Sequence, residues 1–149
     1  MSRPEKKRIV KQPPLYCGFK PVGIPIRTLS EVNFSLDEYE AIRLADYLGM
    51  EHSEAAIEME ISRPTFSRLI EKARKKIADF IINGKAIQID GGNIHFRGNI
   101  LKCSTCGHMF NITFEKNITK CPACDSTNLI DMAGNFGHGK CCRNEKTEK

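Results

Sequence analysis

The chain has 149 residues, of which 40% are hydrophobic and 28% are charged, and its formal net charge is +5. That composition is typical of one or two small folded domains and excludes a disordered chain. No apolar run approaches the ~20 residues that span a bilayer, and the basic N-terminus lacks the apolar stretch of a signal peptide. We therefore expect a cytoplasmic protein without a membrane partner.

The charge is distributed in blocks. Residues 1–20 contain six cations and one acid, residues 35–60 contain eight acids and one cation, and residues 62–76 contain six cations and one acid. A basic segment directly after an acidic one indicates a surface polarised toward a polyanion such as nucleic acid. The alternative is a pair of solvated helical faces of opposite charge.

The N-terminal third is predicted to lead into a first helix. Residues 1–34 form a basic arm and an extended lead-in in this interpretation, because prolines and glycines interrupt any regular pattern. The hydroxyl of Ser35 stands three residues before Glu38, which is the spacing of a capping box. We expect the helix to run from there to about Leu48.

Two further helices follow, and residues 35–84 are predicted to form a helix-turn-helix domain. A short helix is expected over Glu54–Met59. A longer helix is expected to begin after Ser62, to carry Pro64 in its first turn and to end at Asn83-Gly84. Its apolar residues recur at helical spacing, so one face should be buried.

The residues at the expected crossing of these two helices are typical of DNA-binding helix-turn-helix motifs. Ala55 and Ala56 are small enough for close approach, and Phe66 and Leu69 supply an apolar plug. This spacing suits a helix that presents its N-terminal end to a major groove. Glu60 stands at a turn position that usually has a small residue, so we expect local strain there.

The long helix carries hydroxyl and cationic side chains away from its apolar stripe. Cations on such a face displace the counterions condensed on DNA, and hydroxyls near the N-terminus reach bases or phosphates. Arg68 is the expected guanine contact, because arginine reads that base with two hydrogen bonds. The predicted DNA-binding residues are Ser62, Arg63, Thr65, Ser67, Arg68, Lys72, Lys75 and Lys76, with the three lysines on phosphates. The alternative is an ordinary amphipathic helix of a bundle.

A β-hairpin is predicted over residues 85–98. Ala86–Asp90 and Asn93–Arg97 both alternate apolar and polar residues, and Gly91-Gly92 between them is a turn signal.

Residues 99–132 have the cysteine pattern of a zinc ribbon. Two C-x-x-C pairs let four thiolates reach one tetrahedral ion, and the ligands are Cys103, Cys106, Cys121 and Cys124. We expect one structural Zn²⁺, because four protein ligands leave no position for a catalytic water. Iron and a redox dithiol are the alternatives. The few apolar residues of this region imply that metal binding drives its folding.

Residues 133–149 are predicted to form a flexible tail. This segment contains His138 and the adjacent pair Cys141 and Cys142, and Cys17 stands alone in the lead-in. These residues leave open a metal-sensing or redox-sensing role beside the structural zinc.

Several segments in the same order resemble an uncharacterised prokaryotic family of predicted DNA-binding proteins, whose helix-turn-helix is similar to region four of bacterial sigma factors. The resemblance covers roughly residues 13–92 and implies a helical DNA-binding domain without enzymatic activity. The segments that carry it are Phe19–Pro25, Asp37–Asp46, Glu54–Ala56, Ile61–Arg68, Ala73–Ala78 and Gly91-Gly92.

These observations together predict a mainly α protein with a three-helix core, a β-hairpin and a small C-terminal β zinc ribbon. The predicted function is sequence-specific binding of double-stranded DNA in transcription regulation. A protein-interaction adaptor that uses the ribbon and a metal or redox sensor are the alternatives. The transcription machinery and a second copy of the chain are open partners, and no arrangement of residues predicts catalysis.

Overall fold

A computed structural model describes residues 7–139. The chain divides into two compact units. Of the described residues, the first unit comprises residues 7–9 together with Tyr16–Ile94, and the second comprises Val10–Leu15 together with residues 95–139. Among the described residues 35% are helical and 23% lie in strands, arranged as four helices and three small sheets. The prediction of a mainly α fold is therefore wrong.

The first unit contains three helices. Helix α1 spans Leu36–Ile42 and continues as a π-helical turn over Arg43–Tyr47, helix α2 spans His52–Met59, and helix α3 spans Arg63–Ile82. The capping box at the start of α1 is confirmed, because the Glu38 amide donates to Ser35 Oγ (3.4 Å) and the Ser35 amide donates to Glu38 Oε1 (3.0 Å).

The core of this unit lies where α2 meets α3. Ala55 and Ala56 of α2 are 0% and 2% exposed, which permits close contact between the helix backbones. Phe66 and Leu69 of α3 are buried in the same cluster, together with Leu44 from the π-helical turn. The predicted apolar plug between the two helices is confirmed.

Three residues join α2 to α3. Glu60 has the left-handed backbone angles φ 56° and ψ 44°, which cost a non-glycine residue about 1–2 kcal/mol. The expected strain at this turn is therefore present. Ser62 then caps α3 by accepting a hydrogen bond from the Thr65 amide (3.3 Å), and Pro64 occupies the first turn, where its missing N–H has no cost.

A three-stranded sheet completes the first unit. Strands β2 (Gly18–Phe19), β3 (Glu31–Phe34) and β4 (Ala86–Ile89) lie in the order β2-β4-β3, with β3 and β4 parallel. Side chains of β3 alternate between exposed and buried, which is the pattern of a strand with one face in a core.

The predicted hairpin over residues 85–98 is wrong in its pairing. Strand β4 pairs with β2 and β3, and the next strand, β5 (Ile94–Phe96), pairs with β1 (Arg8–Val10). The intervening Gly91-Gly92 takes positive φ values, and the Gly91 carbonyl accepts a hydrogen bond from Leu36. This turn therefore contacts the start of α1 instead of folding β5 back onto β4.

The second unit contains an antiparallel sheet in the order β7-β6-β8. Its strands are β6 (Gly98–Cys103), β7 (Met109–Thr113) and β8 (Leu129–Asp131). A single helical turn, α4 (Met132–Asn135), follows and lies partly in the segment predicted to be a flexible tail. Cys141 and Cys142 lie outside the described residues. Within residues 7–139 no helix has the length and hydrophobicity to cross a membrane.

Candidate metal centre and nucleic-acid interface

The two cysteine pairs of the second unit lie in turns of the same construction. In the first turn the Gly107 amide donates to the Cys103 carbonyl (2.8 Å), and in the second the Asp125 amide donates to the Cys121 carbonyl (2.8 Å). Gly107 and Asp125 occupy matching positions and have φ values of 78° and 62°. Each turn thus places its two thiols on one side of the backbone, as a metal knuckle requires.

The four sulfurs converge on one point. Cys103 and Cys124 Sγ atoms are 3.6 Å apart, those of Cys106 and Cys121 are 3.7 Å apart, and all four lie within 4.8 Å of one another. A disulfide would need a separation of about 2.05 Å, whereas thiolates about 2.3 Å from a tetrahedral zinc stand about 3.8 Å apart. The cluster therefore fits one tetrahedrally coordinated metal ion.

Backbone amides support negative charge on these sulfurs. The amides of Cys106 and Thr105 donate to the Cys103 sulfur and help to lower the pKa of that thiol to about 6. The Ala123 amide lies 3.4 Å from the Cys121 sulfur. At Cys124 the Ser126 amide lowers the pKa, but desolvation and the neighbouring thiols outweigh it and raise the pKa to about 12. A cation among the sulfurs would offset the desolvation and mutual repulsion of the thiolates.

His108 is the nearest histidine in sequence to this centre. Its ring stacks on Phe110 at a centroid distance of 5.6 Å, and its carbonyl accepts a hydrogen bond from the Cys103 amide. Among the described residues the metal-ligating cluster consists of the four cysteines alone. His108 therefore supports the first knuckle without belonging to the ligand set.

The predicted DNA-binding residues lie in the first unit, at the exposed start and along the middle of α3. Most of them are exposed, and Thr65, Ser67 and Lys76 are half-buried. The hydroxyls of Ser62 and Thr65 are 2.7 Å apart at the helix cap. Ser67 Oγ lies 3.1 Å from His52 Nδ1, so that hydroxyl connects α3 to α2.

The cations of α3 divide into two groups. Arg74 forms two hydrogen bonds with Asp46 (2.7 and 3.1 Å), which lower the pKa of that carboxyl. Lys76 donates to Glu38 Oε1 and to the Asn33 carbonyl, each at 2.7 Å. In contrast, four exposed cations have no carboxylate partner among the described residues, and they are Arg63, Arg68, Lys72 and Lys75. Their charge is directed to solvent.

A depression of about 380 Å³ borders two of these solvent-directed cations, Arg68 and Lys72. Thr65, Arg68 and Lys72 line it from α3, Asp37 and Glu38 line it from α1, and Arg8 lines it from the first strand. Sequence reasoning did not select Arg8 as a site residue, because 60 residues separate it from Arg68. The only sequence signal for it was the basic character of residues 1–20.

Comparisons with known proteins find relatives whose sequences match most of the chain. Residues 1–97 match the model of the DUF134 family, described as a protein of unknown function. The UPF0251 protein of Chloroherpeton thalassium is 49% identical over 132 residues, which cover 89% of this chain and 87% of the relative. The UPF0251 protein of Pelotomaculum thermopropionicum is 52% identical over 108 residues, which cover 72% of this chain and 82% of the relative. No solved structure matches the chain.

Proposed function

We propose that the chain, which belongs to the DUF134 family, binds double-stranded DNA through α3 and thereby regulates transcription. The observation that carries this proposal is the division of the α3 cations. Arg74 and Lys76 are neutralised by carboxylates, whereas Arg68, Lys72 and Lys75 are exposed on the same helix without such partners. A helix face whose cations have no carboxylate partner, in a chain with many acids, is suited to binding phosphate.

In the proposed complex the N-terminal half of α3 enters the major groove. The positive end of the helix dipole attracts phosphate at this end of α3. Arg68 donates two hydrogen bonds to a guanine edge, and Lys72 and Lys75 contact backbone phosphates. Phe66, fully buried against α2, holds the helix in the orientation that presents these side chains.

The four cysteines of the second unit are proposed to hold one structural Zn²⁺. Their spacing fits tetrahedral coordination by thiolates, and zinc is the ion most often bound by four cysteines on two knuckles. The bound ion would supply folding free energy and no reaction chemistry, because four protein ligands close its coordination shell.

The DNA proposal predicts different effects for two neighbouring cations. Lys72→Ala should weaken binding to every duplex alike and reduce the salt slope of log K by about 0.9, the value for one phosphate contact. Arg68→Ala should instead relax the preference at one base pair, with a loss of about 1–3 kcal/mol of discrimination. Fluorescence anisotropy on a preferred duplex, selected from a random pool, and on its single-base variants measures both.

Arg74→Ala is the matched control for this experiment. It also removes one cation from α3, but that cation is already paired with Asp46, so DNA affinity should change little. Uniform losses of equal size for Arg68→Ala and Lys72→Ala would refute the division of roles. A loss for Arg74→Ala as large as theirs would refute the proposed face.

A further inference from the structure

We infer that the second unit has a binding site of its own for an unpaired nucleotide of a single-stranded nucleic acid, in a depression beside β6 and β7. The site contains none of the α3 residues, so it goes beyond the proposed function and does not depend on it. The inference rests on cations that three separate segments of the chain bring together, and on the shape and lining of the depression.

Three exposed cations line this β6–β7 depression, whose volume is about 380 Å³. Lys11 follows β1, Arg97 stands between β5 and β6, and Lys116 follows β7. All three belong to the second unit. None of the described residues that line the depression is acidic, whereas Asp37 and Glu38 line the depression beside α3. The lining therefore has an excess of positive charge, which suits a phosphate group.

Backbone contacts hold the segments that carry these cations. The Arg97 amide donates to the Val10 carbonyl (2.9 Å), which joins the segment of Arg97 to that of Lys11. Gly98 permits the close passage of that segment, because a Cβ atom there would lie 2.6 Å from the Lys11 carbonyl oxygen. The Lys116 amide donates to the carbonyl of the last residue of β7 (3.1 Å). The cations thus converge on one place although up to 105 residues separate them in the sequence.

The remaining lining fits the sugar and base of a nucleotide. Ile112 and Ile118 are half-buried and offer apolar contact. Gln12 and Asn111 line the same depression with side-chain amides, each of which can both donate and accept hydrogen bonds. Base edges present donors and acceptors together, so these amides suit a base better than they suit a simple anion.

The concave shape favours an unpaired nucleotide over a duplex. Pockets for small ligands have volumes of about 300–1,000 Å³, and the β6–β7 depression lies at the lower end of that range. A duplex keeps its bases stacked inside, so a base enters a pocket only after it leaves the stack, which costs a few kcal/mol. A single strand has unstacked bases to offer, and its backbone follows a positively charged surface.

The inference is tested by removing two of the three cations from the full chain, as Arg97→Gln with Lys116→Gln. For a single-stranded oligonucleotide of about 12 residues, the salt slope of log K should fall by about 1.4, which is the value for two phosphate contacts. The affinity should fall on the order of tenfold at about 0.15 M salt. Binding of the matching duplex should not change, because α3 is intact. Fluorescence anisotropy measures both ligands.

The matched control is Lys102→Gln with Lys120→Gln, which removes two cations of the same unit that do not line the depression. Both double variants have the same net charge, so a loss of single-strand affinity in the depression variant alone supports the inference. Equal losses in both variants, or no loss in the depression variant, would overturn it. A loss of equal size for duplex and single strand would overturn the assignment to an unpaired nucleotide.

A second measurement uses the unmodified chain and does not depend on how the variants fold. Addition of the oligonucleotide should shift the amide NMR signals of Gly98 and Asn111, which line the depression. Unshifted signals at saturating oligonucleotide would contradict the site. A chain that shows these shifts but does not bind duplex DNA would refute the proposed function of α3 and still support the site in the second unit.

Discussion

Replacement of Cys121 by serine is expected to reduce the metal content of the purified chain from about one ion to nearly none. Cys121 is fully buried, and its sulfur is 3.7 Å from that of Cys106. Three remaining thiolates cannot close a tetrahedral shell, and structural zinc contributes roughly 10–16 kcal/mol of apparent binding free energy in small domains. The ribbon around β6–β8 should consequently lose its ordered structure.

Elemental analysis after dialysis, together with amide exchange of β6 and β7, measures this effect. Cys17→Ser is the matched control, because Cys17 is an exposed free cysteine of the first unit and lies far from the cluster in sequence. It should retain the metal and the protection of β6. A Cys121→Ser chain that keeps its full metal content would refute the assignment, as would an unmodified chain without metal.

Replacement of Phe66 by alanine is expected to lower the free energy of unfolding of the first unit by about 3–5 kcal/mol. Phe66 is 0% exposed in the cluster between α2 and α3, and its ring meets His52 edge-on at a centroid distance of 5.4 Å. The truncation leaves a cavity at that contact. Because such a loss is a large fraction of the stability of a small domain, the orientation of α3 and any DNA binding should be lost with it.

Ile57→Ala on α2 is the matched control. Ile57 is 75% exposed, so removing its side chain should change the stability by less than about 0.5 kcal/mol. Urea unfolding followed by circular dichroism compares the two variants. Equal losses for Phe66 and Ile57, or a loss below about 1 kcal/mol for Phe66, would contradict the described core.

The helices of the first unit were predictable because their signals are local. The capping box at Ser35, the cap at Ser62 and the proline after it depend on residues within one turn. The four-cysteine centre was predictable for a similar reason, since each knuckle is defined by a pair of cysteines two residues apart. In both cases the interaction that determines the structure joins residues that are close in sequence.

The sheet of the first unit was not predictable in this way. Strand β3 pairs in parallel with β4, so Val32 lies opposite Ile87 although three helices separate the two strands in the sequence. Strand β2 has only two residues and lies in a stretch whose prolines and glycines indicate irregular structure. Alternation over Ala86–Ile89 indicated a strand but did not identify its partner. The prediction that β4 pairs with β5, the next strand in the sequence, is therefore wrong.

The charged network around α3 also depended on the fold. The sequence predicts Lys76 as a phosphate contact together with Lys72 and Lys75, because all three lie further along the helix from its N-terminus. In the structure Lys76 Nζ is bound by Glu38, which lies 38 residues earlier in the chain. The position of Arg8 beside Arg68 likewise became visible only in three dimensions. Sequence periodicity identifies a face of a helix, but not which of its charges are already neutralised.

The central claim, that α3 binds duplex DNA, is tested most directly by titrating the unmodified chain against duplex DNA over about 50–200 mM salt. The two proposed phosphate contacts of α3, Lys72 and Lys75, predict measurable binding at low salt and a linear fall of log K with log salt, with a slope of about −1.8 or steeper. Absence of binding at about 50 mM salt, or an affinity that does not depend on salt, would contradict the claim.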